Sequence, residues 1–226
     1  MSPWYVAGPI VVIISAVIYW LLVTTEGTYL GYGLVTRLYD WSAVKYNGIK
    51  QVRFVDEVQH IGIPLAHRLR NVDAPVIVDV ATGTGRVPLA VLPQLPSATV
   101  IGLDGSIDMM RIAQQECEDW DRCTFAQADA RHLPVVTKGV DALTCLEALE
   151  FMPDPDLVLA EMWRVLKPGG ILYCSNRVGF EARFFPGRVA RRGELERLLT
   201  EIGFVEVSMR RWQVHYDLIW ARKPFI

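Results

Sequence analysis

Residues 76–90, VIVDVATGTGRVPLA, constrain this chain more than any other stretch. Val76 to Val80 reads as a buried strand, Gly83 and Gly85 mark a turn, and a helix opens directly behind them. A strand that ends in a glycine turn and opens a helix leaves backbone N–H groups free at its carboxyl end. That arrangement suits a small, polar, nucleotide-like ligand. Further strands are expected at 99–103, 123–128, 141–146, 171–175, 205–211 and 215–222. Between them lie a helix at 86–95, one capped by Ser106, and one opened by Asp154-Pro155 and stopped by Pro168-Gly169-Gly170. A last helix carries Leu195, Leu198, Leu199 and Ile202 and ends at Gly203. This alternation predicts an α/β fold with helices on both faces of a parallel sheet. The final two strands have too short a link to run parallel, so they must pair antiparallel.

The N-terminus is different. Residues 3–25 carry no charge, and 6–23 are apolar apart from Ser15, with Gly8 and Pro9 near the start. Eighteen helical residues span about 27 Å, close to the thickness of a bilayer's hydrocarbon core. A signal peptide would show a basic leader and a small-residue cleavage site. Here no Lys or Arg precedes Arg37, and Thr24-Thr25-Glu26 does not suit cleavage. Tyr19 and Trp20 fit an interfacial aromatic belt. The expectation is a single membrane anchor over 1–25, with a buried core helix as the alternative. Arg37, Lys45, Lys50 and Arg53 all follow the span, which puts the large domain on the cytoplasmic side.

Residues 26–72 form an aromatic-rich connector, with Tyr29, Tyr32, Tyr39, Trp41 and Tyr46. The pattern from 49 to 69 is helical and interrupted near Gly62-Ile63-Pro64. Short helices are expected here that rest on a bilayer, cover a site as lids, or simply pack on the domain over 73–226. The net charge of −2 gives no ground for nucleic-acid binding. The run Arg183, Arg188, Arg191 and Arg192 reads as a solvated face. The four cysteines show no CxxC spacing; Cys145 and Cys174 sit in apolar strands as core thiols, which suits a reducing compartment and not a metal site.

Acidic residues recur at the strand ends: Asp79, Asp104, Asp129 and Glu147. Each alone is compatible with a helix cap or solvated turn. Together they line the edge where sheets of this kind bind ligands. Asp104 has the placement of an acid that accepts from a ribose diol. A dinucleotide grip would need a third glycine where Pro88 stands.

The ordered series DVATGTG, GLDGS, AQADARHLP, VDALTCLEALEFMPDP and LAEMWRVLKPGG resembles class I S-adenosylmethionine-dependent methyltransferases, in particular the ubiquinone and menaquinone branch. The resemblance covers about residues 36–223. It implies a Rossmann-like, seven-stranded, mostly parallel sheet with an antiparallel last strand, to which this chain adds one N-terminal transmembrane helix. It implies S-adenosylmethionine as cofactor, with Asp79, Ala81, Gly83 and Gly85 around its methionine part. Asp104 would take the ribose hydroxyls, Ser106 and Met109 would flank the adenosine, and Asp129 with Ala130 would read adenine. Leu146 and Glu147 would lie beside the reacting methyl. Tyr39-Asp40 matches an aromatic-acid pair in a segment that lids the cofactor. Ala81-Thr82 depart from the more usual Gly-Cys.

Methyl transfer from a sulfonium asks mainly for proximity and orientation. A base is needed only when the nucleophile is protonated. Glu147, His60 and Tyr46 are the leading candidates, and His67, His132, His215 and Glu150 are further ones. Arg177 and Arg183 could meet an anionic substrate or lie on the surface. The anchor points to a membrane-resident lipophilic acceptor such as a quinone, isoprenoid, carotenoid or phospholipid. The expected partners are therefore the bilayer, that acceptor and, through the N-terminal helix, a membrane complex. Two alternatives stand beside this reading: a non-catalytic complex subunit that keeps the fold, and a nicotinamide-dependent reductase.

Overall fold

The structure, a computed structural model, describes residues 4–49, 54–118, 121–187, 189 and 191–226. Lys50, Arg53 and Arg188, which entered the charge readings, lie outside the described residues.

Seven strands form one sheet in the order β3-β2-β1-β4-β5-β7-β6. They are β1 (Val76–Val80), β2 (Thr99–Asp104), β3 (Cys123–Gln127), β4 (Val140–Cys145), β5 (Leu166–Arg177), β6 (Val205–Gln213) and β7 (Tyr216–Arg222). The pairs among β1 to β5 are parallel. β7 lies antiparallel between β5 and β6, so it alone runs against the rest. The seven-stranded, mostly parallel sheet with its antiparallel last strand is thus as expected. Chain order reverses between β1 and β4, which opens a crevice at their carboxyl ends.

Period-two alternation sends successive side chains to opposite faces. Val78 and Val80 join one core cluster with α7 (Pro155–Val165) and α8 (Glu194–Ile202). Ile77 joins a second cluster with Ile61, Leu65, Leu69, Val87 and Val91 from α4 (Ile63–Leu69), α5 (Arg86–Val91) and the turn before α4. Both faces are therefore covered, as a parallel sheet requires. Cys145 and Cys174 are register partners in the core, and burial pushes the Cys174 thiol up to about 12.

Three local expectations are corrected. The helical pattern before β1 is not broken at Gly62-Ile63-Pro64. It winds from α3 (Phe54–Glu57) through a π-helical turn, Val58–Gly62, into α4. A Cβ on Gly62 would lie 2.0 Å from the Ala90 carbonyl oxygen, so the glycine lets this helix press onto α5. Pro168-Gly169-Gly170 does not stop a helix. α7 already ends at Val165, and β5 runs through these residues, with Gly169 at φ +78° bonded to the Lys223 carbonyl. Asp154 stands at the N-cap of α7 but makes no side-chain capping bond; its carboxylate lies 3.8 Å from Arg131. Ser106, by contrast, caps α6 (Ile107–Glu116) as expected, accepting from the Met109 N–H at 3.2 Å.

At the N-terminus, α1 (Trp4–Tyr19) continues through a π-helical turn, Trp20–Thr24. Residues Ala7–Thr24 have a mean hydropathy of 2.2 and are not buried against the domain, so by length and composition this helix is able to cross a membrane. Its foot docks on the domain through rings. Trp20 stacks on Tyr29 at 5.5 Å and meets the Phe184 edge at 6.3 Å, while the Tyr29 hydroxyl donates to the Phe184 carbonyl at 2.8 Å. α2 (Tyr32–Ile49) then lies across the carboxyl edge of the sheet.

Candidate active site

The site begins at the turn after β1. Ala81, Gly83 and Gly85 all have left-handed backbones, at φ +56°, +56° and +84°. Gly83 accordingly points its N–H to Asp104 at the end of β2, whose Oδ2 accepts it at 2.8 Å. Asp104 Oδ1 accepts the Ser106 N–H, also at 2.8 Å. One carboxylate thus fixes the glycine turn and the start of α6. The Gly105 N–H bonds the same carboxylate, which leaves about one of its four lone pairs for a ligand. Gly85 serves packing: a Cβ there would lie 3.2 Å from the Ala113 Cβ of α6.

A cavity of about 260 Å³ opens over this turn. Among the expected cofactor residues, Tyr39, Ala81, Gly83, Asp104, Ser106, Met109, Asp129, Ala130, Leu146 and Glu147 line it, and so does the candidate Tyr46. Asp79 and Gly85 do not. Asp79 is buried beneath the floor, where its Oδ1 accepts from Thr144 Oγ1 at 2.6 Å and the Thr82 hydroxyl also meets its carboxyl. Burial pushes its carboxyl up to about 6. His60 is elsewhere as well. Its Nδ1 donates to the Asp56 carbonyl at 2.8 Å and its own carbonyl accepts from Tyr173, so it is not placed as a base for this cavity. The other three histidines are likewise absent from the wall among the described residues.

The inner face of α2 forms the roof. Val35, Thr36, Tyr39 and Tyr46 line the cavity, and Ala43 is buried between them. Asp40, on the same helix, accepts from the Ser106 hydroxyl and from the Asp108 N–H, the latter at 3.2 Å. This carboxylate at the N-terminus of α6 meets unpaired N–H groups and the positive end of the helix dipole. Burial raises the Tyr46 phenol well above its ordinary range, so it stays protonated and can donate but not act as a base at neutral pH. Tyr39 is raised by burial and by Glu26, to which it donates at 2.9 Å.

One group that sequence reasoning missed sits at the side of the cavity. Arg86, directly behind the glycine turn, donates to Glu147 at 2.8 Å and to Glu57 at 3.4 Å. Gln213 also donates to Glu147 Oε1, at 3.1 Å. Glu147 has a left-handed backbone at φ +51°, and its N–H donates to Ser175 Oγ at 2.6 Å. Its carboxylate is thereby built into the wall. A charged residue opening a helix straight after a glycine turn was the available signal. Asp129, on the opposite wall, holds Arg131, whose guanidinium keeps its carboxyl below the usual range. Glu150 is buried outside the cavity wall, where it accepts from the Tyr216 hydroxyl, and burial pushes its carboxyl up to about 7. Arg177 turns its guanidinium onto the Phe185 ring at 4.3 Å, and Arg192 pairs with Asp217 at 2.6 Å.

The wall fits S-adenosylmethionine. Thr82 lines the cavity beside the left-handed turn, its hydroxyl set against the Asp79 carboxyl beneath the floor. The Asp104 carboxylate follows, and Leu103, Met109, Ala130 and Leu133 offer an apolar slot for a base. Comparison with known proteins agrees. Residues 77–170 match the family model described as "Methyltransferase domain". Over these residues the chain is similar to a methyltransferase domain, in keeping with the class I S-adenosylmethionine-dependent enzymes that its motif series resembles. It is 32% identical over 137 residues to the malonyl-[acyl-carrier protein] O-methyltransferase of Xylella fastidiosa, covering 61% of this chain and 43% of that protein. It is 40% identical over 111 residues to the demethylmenaquinone methyltransferase of Porphyromonas gingivalis, covering 46% and 45%. The chain thus spans about half the length of the curated relatives it matches. In fold it is similar to phosphoethanolamine N-methyltransferase 2 of Haemonchus contortus, solved in complex with S-adenosyl-L-methionine. That match has a TM-score of 0.59 at 16% identity, over 71% of this chain and 52% of that one.

Proposed function

We propose that the protein transfers a methyl group from S-adenosylmethionine to a small lipophilic acceptor resident in a membrane, in which its N-terminal helix is anchored with the methyltransferase domain on the cytoplasmic side. The observation that carries this reading is the reach of the cavity. Its wall includes both Gly83 and Asp104 of the sheet edge and Thr28 and Gly31 of the segment that follows the N-terminal helix. The latter two follow the apolar stretch Ala7–Thr24 by only a few residues. An acceptor leaving the bilayer at the foot of α1 therefore meets the cofactor site without crossing water. The mostly apolar wall, with Val35, Leu146, Phe151 and Met152, suits such a molecule.

The bound cofactor supplies an electrophilic methyl on a sulfonium. The protein's own part is to hold and align. Asp104 and the glycine turn fix the cofactor end, Leu146 and Glu147 border the neighbouring space, and Tyr39 and Tyr46 roof it. Tyr46, held protonated, can donate a hydrogen bond to an acceptor oxygen. Relatives named for demethylmenaquinone support an acceptor of the quinone kind.

The test is to incubate purified full-length protein with S-adenosylmethionine labelled in the methyl group and a membrane lipid extract. Label is expected in the organic phase. Label found only in water-soluble products overturns the lipid acceptor. Calorimetry with S-adenosylhomocysteine separates this from the non-catalytic subunit: absence of binding supports the subunit.

A further inference from the structure

α2 has two working faces. The inner one roofs the cavity. The outer one carries Leu34, Arg37, Trp41 and Val44, about three or four residues apart and all exposed, with Lys45 alongside. Trp41 is 87% exposed and Val44 89%. Helical spacing places these residues on one stripe. A stripe of this kind has no reason to remain bare on a soluble surface.

We propose that the outer face of α2 seats in the headgroup layer of an anionic phospholipid bilayer, so that the same helix is at once membrane contact and cofactor roof. This rests on the membrane reading above and deepens it. Two observations choose a bilayer as the occupant. The first is continuity: the stripe starts at exposed Leu30 and Leu34, immediately after α1, in a segment tied to the foot of α1 by the Trp20–Tyr29 stack. Phe184 extends that ring contact to Phe180, 70% exposed, with the exposed Arg183 guanidinium 5.9 Å from its ring. The second is charge. The one acidic residue within α2 is Asp40, and it is turned inward to Ser106 and the Asp108 N–H. The outward charges are Arg37 and Lys45, both basic. Tryptophan beside basic residues on an amphipathic helix suits an anionic interface.

The consequence lies in the roof. Tyr39, Asp40 and Tyr46 on the inner face contact the cavity or the start of α6. Seating the outer face therefore places the roof of the cavity in the headgroup layer, with Thr28 and Gly31 of its wall on the side of α1.

The experiment uses full-length protein reconstituted in vesicles of equimolar phosphatidylcholine and phosphatidylglycerol, some of the lipid brominated on the upper acyl chain. The difference in tryptophan fluorescence between wild type and Trp41→Phe isolates Trp41. Its emission is expected to be quenched by the brominated lipid and shielded from aqueous iodide, and the Arg37→Glu/Lys45→Glu variant is expected to lose that quenching. Alkaline carbonate extraction, run in parallel, reads the anchor alone. Protein released by carbonate overturns the membrane reading itself. Protein retained, with Trp41 open to iodide and untouched by bromine, overturns only the seating of α2. Trp41 shielded from both quenchers makes the stripe a protein interface and likewise overturns it.

Discussion

The Asp104 carboxylate reaches back 21 residues to the N–H of Gly83 and holds it at 2.8 Å. The same side chain holds the Ser106 N–H, so the cofactor turn and the start of α6 share one support. Hydrogen bonds to a charged group contribute about 1.5–3 kcal/mol each. Asp104→Ala is therefore expected to weaken S-adenosylhomocysteine binding by roughly tenfold or more, read by calorimetry. Asp104→Asn keeps one acceptor and should fall between. An unchanged affinity in the alanine variant would show that the turn holds its shape unaided.

Ala81 stands at φ +56°, where a side chain costs about 1 kcal/mol. Ala81→Gly should leave the thermal midpoint unchanged or slightly raised, because relief of strain offsets the freer unfolded chain. Gly85→Ala combines φ +84° with a contact at 3.2 Å to Ala113, and should lower stability by about 2 kcal/mol. Equal thermal midpoints for Gly85→Ala and wild type would remove the packing role assigned to this glycine.

Much of this site could be read along the chain because its parts are local. Val76–Val80, the glycines and Asp104 announce themselves by residue type and order. What escaped depends on distant neighbours. Arg86 matters because Glu57 and Glu147 meet it from 29 and 61 residues away. Gly62, at the end of the π-helical turn before α4, lies on the Ala90 carbonyl, a contact that no periodicity encodes. Pro168-Gly169-Gly170 reads as a stop signal. Gly169 in its left-handed conformation instead lets β5 continue, paired with Lys223 near the far end of the chain. Asp79 falls in the right motif, yet burial makes it a floor support and not a wall residue.

Arg86 lies between two carboxylates whose side chains are 5% and 7% exposed. Removing the cation leaves both acids buried, which costs about 3–5 kcal/mol. Arg86→Met should lower the thermal midpoint by roughly 6–20 °C for a domain of this size. Adding Glu57→Gln and Glu147→Gln to that variant should restore most of the loss. If the triple variant is no more stable than Arg86→Met, the penalty lies in packing and not in uncompensated charge.

Asp40 ties the roof to α6 through Ser106 and the Asp108 N–H. Asp40→Ala should weaken S-adenosylhomocysteine binding by roughly tenfold and lower stability by about 1.5–3 kcal/mol for each bond lost. The check compares calorimetry with thermal scans. A loss of stability without a loss of affinity would separate the roof from cofactor retention.

Glu150 gives the chain a pH dependence with a definite sign. Its carboxyl is pushed by burial from 4.5 to about 7, although Tyr216 donates to it. Below about pH 4.5 both the folded and unfolded states hold the proton, and the group costs nothing. From there to about pH 7 the unfolded chain releases a proton that the folded chain keeps, so stability falls as pH rises. Above 7 the full penalty applies, at most about 3 kcal/mol. Asp79 adds a fall of the same sign between 3.8 and about 6. Glu150→Gln retains an oxygen for the Tyr216 hydroxyl and removes the ionisation. Its thermal midpoint should match wild type near pH 4 and exceed it by several degrees at pH 8, with the gap opening between. A gap of equal size at both pH values would mean that burial of this carboxyl is not what sets the slope.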